Sequence, residues 1–283
     1  MDSLAQPIQT RDMTTTLITG GTGKTGRRVA QRLTATGRAV RLGSRTGDTR
    51  FDWEDSETWA PALEGCSSAY VTFAPDIAFP GAADTVAAFV KIAVDAGTTR
   101  LVLLSGRGEE GAQRAERQLA ESGADWTVVR CAFFAQNFSE TFWADSVRAG
   151  ELVLPGNAPE PIVDLEDVAD IAALALTDDG HVGEVYECTG PRLIGYDEAM
   201  AEISSAIGRE VRFRPVEPAE FAAGLADAGL PAADAEGLAD LFAGILDGHN
   251  SSLTDGVQRA LGRPAGDFAD YVRRTAATGV WDV

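Results

Sequence analysis

Histidine, cysteine and lysine are scarce in this chain, and each shortage closes off a class of function. Among 283 residues there are two histidines and three cysteines. Cys66, Cys131 and Cys188 stand far apart in the sequence with no Cys-x-x-Cys pair, and His181 and His249 add no spacing that would ring a metal ion. Neither a metal site nor a disulfide framework is expected, which fits a reducing, cytoplasmic compartment. Lys and Arg together number 24 against 43 Asp and Glu, a formal net charge of −19. Such a chain repels phosphate backbones and anionic bilayers alike, so neither nucleic acid nor a membrane surface is expected as a partner. Apolar runs stop well short of the roughly 20 residues that a spanning helix needs. Residues 1–13 read as a loose leader and not as a signal peptide, because no apolar segment lies within them.

With 45% hydrophobic and 24% charged residues, the chain can bury a substantial core, as one large domain or a domain with a smaller appendage. Its most informative stretch comes early. The strand-like run Thr15 to Thr19 leads into Gly20-Gly21-Thr22-Gly23-Lys24-Thr25-Gly26, and an amphipathic run, Arg27 to Leu33, follows at once. A strand that turns on glycines into a helix aims backbone N–H groups and the positive end of a helix dipole at one spot, which suits a pyrophosphate. Gly20 permits the tight turn, Gly23 lets the backbone approach the phosphates between Thr22 and Thr25, and Gly26 lets the helix sit close to the strand. The chain is expected to bind a dinucleotide.

Beyond the turn, short apolar runs alternate with helical patterns. Strands are expected at Ala39 to Leu42, Ala69 to Phe73, Arg100 to Leu104 and Trp126 to Val129, and helices from about Ala82 to Ala96 and Gly111 to Glu121. This order predicts an α/β fold, a Rossmann-type doubly wound parallel sheet over residues 14–150 with right-handed crossovers. In residues 151–283, Leu152 to Leu154 and Val185 to Cys188 are expected to extend the same sheet. Asp164 to Leu176 reads as a helix whose acidic start suits the dipole. From Tyr196 onward, helical stretches broken at Gly229, Pro231, Gly248, Gly262 and Pro264 predict a smaller, mostly helical C-terminal part that covers the substrate.

An NAD site places Asp or Glu about twenty residues past the glycines, on the ribose hydroxyls. Here the second strand ends in Leu42-Gly43-Ser44-Arg45, with no acid at its tip. A hydroxyl and a guanidinium there would receive a 2′-phosphate, and Lys24 adds positive charge near the same phosphates. NADPH is favoured over NADH.

Several segments together resemble a family. Beside the glycine turn there are Phe51-Asp52-Trp53, Leu104-Ser105-Gly106 and the run Ser122-Gly123-Ala124-Asp125-Trp126-Thr127-Val128-Val129-Arg130. Asp164-Leu165-Glu166-Asp167-Val168-Ala169-Asp170 and Leu261-Gly262-Arg263-Pro264 complete the set. The chain resembles the NmrA-like atypical short-chain dehydrogenases over nearly its whole length. It is most similar to the branch with bacterial relatives of ergot-alkaloid dehydrogenases and with quinone or aromatic-polyketide reductases. The resemblance implies that Asp52 and Trp53 border the adenine and that Phe73, Ala74 and Pro75 run along the cofactor. Ser105, Gly106 and Arg107 would sit beside the nicotinamide ribose, and Cys131, Ala132, Phe133 and Phe134 near the nicotinamide. Where the family usually has Arg-Pro-Gly, this chain has Arg130-Cys131-Ala132, a departure that bears on the shape of the nicotinamide pocket.

Ordinary short-chain dehydrogenases use a Tyr-x-x-x-Lys pair to protonate a nascent alkoxide, an effect worth roughly 10²–10⁴-fold. This chain has two lysines, Lys24 and Lys91, and neither has a tyrosine four residues before it. Reduction of a plain ketone is therefore demoted. Hydride addition to an iminium carbon yields an amine directly. Addition to a quinone or extended aromatic ketone gives a phenolate-like anion whose conjugate acid has a pKa of about 10, near tyrosine's. In both cases the protein mainly positions a flat acceptor and excludes water.

Phe134, Phe138 and Trp143 are candidate stacking residues for that acceptor, with Gln136 and Asn137 as hydrogen-bonding groups. Arg107 and Asn137 are the candidate catalytic residues, Arg107 to steady developing negative charge. Glu109 and Glu110 read as a helix start, and His181 as a solvated turn residue. The expected function is hydride transfer from NAD(P)H to an aromatic or iminium small molecule in bacterial secondary metabolism. A hydroquinone so formed reacts with oxygen, which leaves a coupled hydroxylation open, with or without a partner oxygenase-type enzyme. The rival from another class is a redox-sensing regulator that binds NAD(P) without turnover.

Overall fold

A computed structural model describes residues 15–283; the leader read at 1–13 lies outside the described residues. The strands are β1 (Thr15–Thr19), β2 (Ala39–Ser44), β3 (Thr49–Arg50), β4 (Cys66–Val71), β5 (Arg100–Gly106), β6 (Asp125–Cys131), β7 (Glu151–Leu154), β8 (Glu184–Cys188) and β9 (Arg212–Pro215). Seven of them form one parallel sheet in the order β3-β2-β1-β4-β5-β6-β8. From β1 the chain first builds outward through β2 and β3. It then returns to the other side of β1 for β4 and the rest. The reversal opens a crevice between β1 and β4 at the carboxyl ends of the strands, the place where such sheets bind ligands.

Side chains alternate across this sheet with the period of two that a strand imposes. Leu17, Ala69, Leu101 and Val128 face one buried layer, with Val86, Phe89 and Leu119 from helices Ala82–Asp95 and Glu110–Ala120. Ile18, Tyr70, Val102 and Val129 face the other, with Val29, Leu33, Val168 and Ala172 from helices Gly26–Ala35 and Leu165–Ala175. Burial on both faces is why these strands read as continuous apolar runs.

Two expectations change here. The run Leu152 to Leu154 does not extend the main sheet, because β8 already occupies the outer edge of β6, from Thr127↔Glu184 to Cys131↔Cys188. β7 pairs instead with β9, in register from Glu151↔Arg212 to Leu154↔Pro215, as a separate parallel ribbon. That ribbon and the C-terminal helices enclose a third core around Phe138, Trp143, Tyr196, Ile203 and Trp281. The pairing of β6 with β8 also sets Cys131 beside Cys188, although 57 residues separate them; both thiols are free and buried, and burial, with Cys188 alongside, pushes the Cys131 thiol well up in pKa. His181 is not a solvated turn residue either. It is buried, and its Nδ1 lies 2.7 Å from the Tyr186 hydroxyl.

Candidate functional site

The glycine turn is rigid for a geometric reason. Gly20 adopts φ +59°, and Gly23 N–H donates to Gly20 O at 2.8 Å. A Cβ on Gly26 would lie 2.4 Å from that same oxygen, so only glycine lets helix Gly26–Ala35 start this close to β1. Helix Gly26–Ala35 therefore begins at the crevice and brings its positive dipole end there, while the N–H groups of Arg27 and Arg28 are taken by Gly23 O and Thr25 O. The crevice widens into a cleft of about 730 Å³, lined by Gly20, Thr22, Gly23, Lys24 and Thr25 from the turn. That size lies within the roughly 300–1,000 Å³ of small-molecule sites.

At the β2 end, the cleft is lined by Ser44, Arg45, Asp52 and Trp53. Ser44 is buried and its hydroxyl accepts from Gly47 N–H at 2.8 Å, which curls the loop so that Arg45 stands at the rim. Nearly every other arginine of this acidic chain is held by a carboxylate or a carbonyl, whereas Arg45 is exposed and without a partner among the described residues. Trp53 is fixed by a 3.0 Å bond from its indole N–H to Thr72 O and by edge contacts with Phe51 and Phe89. Phe73, Ala74 and Pro75 continue the wall past β4.

Beyond β5 and β6 the cleft is lined by Ser105, Gly106, Arg107, Cys131, Ala132, Phe133, Phe134 and Asn137. Phe133 stacks on the buried Trp143 at 5.1 Å, and a bridge to Val163 pins Phe134. Lys24 reaches here and not toward Ser44 and Arg45. Its ammonium bonds Asn137 Oδ1 and sits 5.3 Å from the centre of the Phe134 ring. Burial lowers its pKa to about 8, against the opposing pull of Glu140. The 2′-phosphate role expected for Lys24 is thus geometrically misplaced, since β1, β4 and β5 separate the β2 tip from Asn137.

Four other sequence-derived candidates change meaning. Gln136 is buried below the cleft, where its amide donates to Asp164 Oδ1 at 2.7 Å and accepts from Leu165 N–H at 2.9 Å. Phe138 and Trp143 belong to the third core and do not line the cleft: Phe138 is the buried residue of the short helix Asn137–Glu140, and Trp143 is buried at the start of the next helix, Trp143–Ala149. Arg107 does line it, but its guanidinium is engaged. It donates to Glu187 Oε1, to Asn250 O, and to both oxygens of Ser252, which braces the C-terminal part against the sheet. Such a brace is not free to follow a developing charge.

Two carboxyls, Asp76 and Glu160, escaped the sequence reading, and Glu109, read as a helix start and indeed the N-cap of helix Glu110–Ala120, has a second place in the cleft wall. Asp76 and Glu109 line the cleft; burial raises the pKa of both, and the nearby charge of Asp76 helps bring Glu109 to about 7. Glu160, with Ile245 and Asn250, closes the far end. Its flanking prolines in Pro159-Glu160-Pro161 were the available signal, since they fix an extended backbone. Among the described residues no group of three or more His, Cys, Asp or Glu is placed to hold a metal ion, and no helix is long and apolar enough to cross a membrane.

No family model matches the chain. An oxidoreductase of Bacillus subtilis, YesF, is 32% identical over 279 residues, 94% of this chain and 97% of that protein. The NAD(P)H azoreductase of Xenophilus azovorans is 29% identical over 284 residues, 92% and 98% of the two chains. Among solved structures, the triphenylmethane reductase of a Citrobacter species shares the fold, with a TM-score of 0.75 at 22% identity over 92% of this chain and 99% of that one. The chain belongs to the NmrA-like atypical short-chain dehydrogenases/reductases. It is an oxidoreductase of that family.

Several segments that mark this NmrA-like oxidoreductase do their work as locks. Arg263 donates to Asp167 Oδ1 at 2.6 Å and to Asp170 Oδ2 at 2.8 Å, so the Leu-Gly-Arg-Pro segment fastens onto helix Leu165–Ala175. Arg130 holds the buried Glu116 and also Glu187; Glu116 in turn takes the Ser105 hydroxyl at 2.5 Å. This network fixes the carboxyl ends of β5, β6 and β8 where they border the cleft.

Proposed function

We propose that this chain is an NADPH-dependent reductase that passes hydride to a planar, conjugated acceptor of the quinone or cyclic iminium class. One observation carries the reading: the cleft has a phosphate-type cradle at one end, an aromatic wall at the other, and no tyrosine along it. The four tyrosines are all buried elsewhere, and Lys91 is exposed on an ion pair with Asp95. Alkoxide protonation by a tyrosine–lysine pair therefore has no place here.

The residues fit a dinucleotide laid across the sheet. The turn N–H groups would hold the pyrophosphate, Ser44 and Arg45 the 2′-phosphate, and Asp52 and Trp53 the adenine. Phe73, Ala74 and Pro75 would run along the middle, with Ser105 and Gly106 at the second ribose and Cys131, Ala132 and Phe133 at the nicotinamide. The bound reduced nicotinamide would supply the hydride. This chain's own part is to position and to desolvate. Phe133 and Phe134, both fixed by packing, offer a flat wall, and Asn137, held through its oxygen by Lys24, keeps its amide N–H groups for an acceptor atom. The name of the azoreductase relative supports a nicotinamide cofactor and a conjugated acceptor. A role in bacterial secondary metabolism belongs to the same proposal.

The experiment is a panel. Purified protein with NADPH, then NADH, is offered quinones, anthraquinones and cyclic iminium salts while cofactor absorbance and oxygen uptake are followed. Acceptor-dependent loss of NADPH is the expected result. Tight binding of both cofactor forms without turnover on any acceptor would replace the reductase with a redox sensor.

A further inference from the structure

The far end of the cleft holds a carboxyl that neither the glycine turn nor the aromatic wall accounts for. Glu160 is 1% exposed, yet it lines the cleft near Phe133, Asn137 and Ile245. Its backbone is firmly mounted. Glu160 N–H donates to Ile194 O at 3.0 Å, Ile194 N–H donates back at 2.9 Å, and Val163 N–H ties the same segment to Phe133 O at 2.8 Å. Its side chain is not tied. Oε1 is buried without a hydrogen-bond partner, and the neighbouring Arg107 guanidinium is committed to Glu187, Asn250 and Ser252. A buried carboxyl with no donor to steady its charge favours the neutral form, and the neutral form carries an O–H that needs an acceptor. What completes this site is a ligand with an acceptor atom.

The position along the cleft says which part of the ligand that is. A dinucleotide that starts at the β2 tip and crosses the glycine turn ends over β5 and β6, and Glu160 is tied to that end: its segment bonds Phe133 and Phe134 after β6 through Val163, and Arg107 after β5 is its neighbour.

We propose that Glu160 is a catalytic acid for quinone-type acceptors, donating its carboxyl proton to the acceptor oxygen as hydride reaches the conjugated carbon. This role rests on the reductase reading above. In the step, a new C–H bond forms on the acceptor with the electron pair of the nicotinamide C–H bond, which breaks. The acceptor's π pair moves onto its oxygen, the Glu160 O–H bond breaks, and an O–H bond forms on the acceptor. The acceptor is reduced by two electrons and the nicotinamide oxidised by two; the Glu160 carboxylate regains its proton from water.

The charged and titratable groups around Glu160 come from three elements: Arg107 after β5, Tyr196 on helix Tyr196–Ile207, and Asp247 and His249 after helix Ala232–Ile245. Burial outweighs Arg107 and His249, with help from Asp247, and holds Glu160 at about 7. The Tyr196 hydroxyl is likewise buried without a partner. The carboxyl is thus poised where a general acid works at neutral pH.

Two readouts test this. In the cofactor-free protein, the infrared difference between wild type and Glu160→Gln should contain a protonated-carboxyl band that fades as pH rises through about 7. In turnover, a naphthoquinone, which needs a proton, is compared with a triphenylmethane cation, which does not. Gln keeps a hydrogen bond but cannot give up a proton, so E160Q should lower the quinone-to-cation rate ratio by about 10²-fold or more. The wild-type ratio alone should fall as pH rises through the same range, which reads the role even if the variant folds poorly. An unchanged ratio in a folded E160Q, a wild-type ratio indifferent to pH, or no such carboxyl band overturns the proposal. A wild type that reduces neither acceptor contradicts the reductase reading itself, and this role falls with it.

Discussion

The proposed preference for NADPH turns on Arg45. Among the described residues it stands unpaired at the cleft rim beside a buried Ser44, where nearly all the other arginines are engaged. A charge-assisted contact with a phosphate is worth about 1.5–3 kcal/mol. Arg45→Ala should therefore weaken NADPH binding by roughly 10–100-fold while NADH affinity barely moves, as read by titration of nicotinamide fluorescence. Equal losses for both cofactors would remove Arg45 from that role. At this scale the sequence was legible where a backbone demand existed, as at Gly20 and Gly26, and poorly legible where only side-chain chemistry spoke. Gln136, Phe138 and Trp143 sit in an aromatic, amide-bearing stretch next to the cleft, yet Phe138 and Trp143 pack into the core from two successive short helices and Gln136 is spent on Asp164 and Leu165. Glu160 was hidden for the converse reason: its flanking prolines signal an extended backbone, but no local pattern shows that the acid between them will be buried without a partner.

Among the elements, the strands of the main sheet other than the two-residue β3 were readable because burial on both faces dictates them, with bounds that move by a few residues at most, whereas β9 fell in a stretch read as helical. The partner of β7 was not readable. A four-residue apolar run fits any open edge, and only the arrival of β8 on β6 decides which edge is left. The locks between elements carry their own tests. Asp167 is buried and accepts from Arg263 and from Gly266 N–H at 2.7 Å. Because the arginine is half exposed, Arg263→Ala should cost about 1–3 kcal/mol in urea unfolding, less than breaking a fully buried pair. A change within about 0.5 kcal/mol would mean that the pair is only decorative surface. Gly26→Ala meets the Gly20 carbonyl at 2.4 Å, so either helix Gly26–Ala35 or the turn must shift. Dinucleotide affinity should drop sharply, and retained affinity would show that the close helix–strand approach is dispensable.

For the whole molecule, charge and pH act together. Glu109 and Glu160 titrate near 7 in the folded chain against an ordinary 4.5, so the folded state keeps two protons that the unfolded state has already lost. Their contribution is fully present below about 4.5 and disappears as pH rises through about 7. Glu140, Glu166 and Glu187 work in the opposite sense. Arginine partners overcome burial and lower their pKa, so their stabilisation is present above 4.5 and is lost as pH falls through their depressed values. Stability should peak on the mildly acidic side, and Tm measured against pH should flatten between about 4.5 and 7 in a Glu109→Gln, Glu160→Gln double variant. A double variant with the wild-type slope would assign that slope to general repulsion within a chain of net charge −19. The central claim, hydride transfer to a flat conjugated acceptor, has a more direct test than any variant. A single turnover with NADPH deuterated at the transferable C4 position, mixed anaerobically with a cyclic iminium salt or a triphenylmethane cation, reports the fate of the label. The account predicts deuterium on the acceptor carbon and a slowed transfer relative to unlabelled NADPH. Bound cofactor that keeps its deuterium in the presence of every acceptor would contradict it.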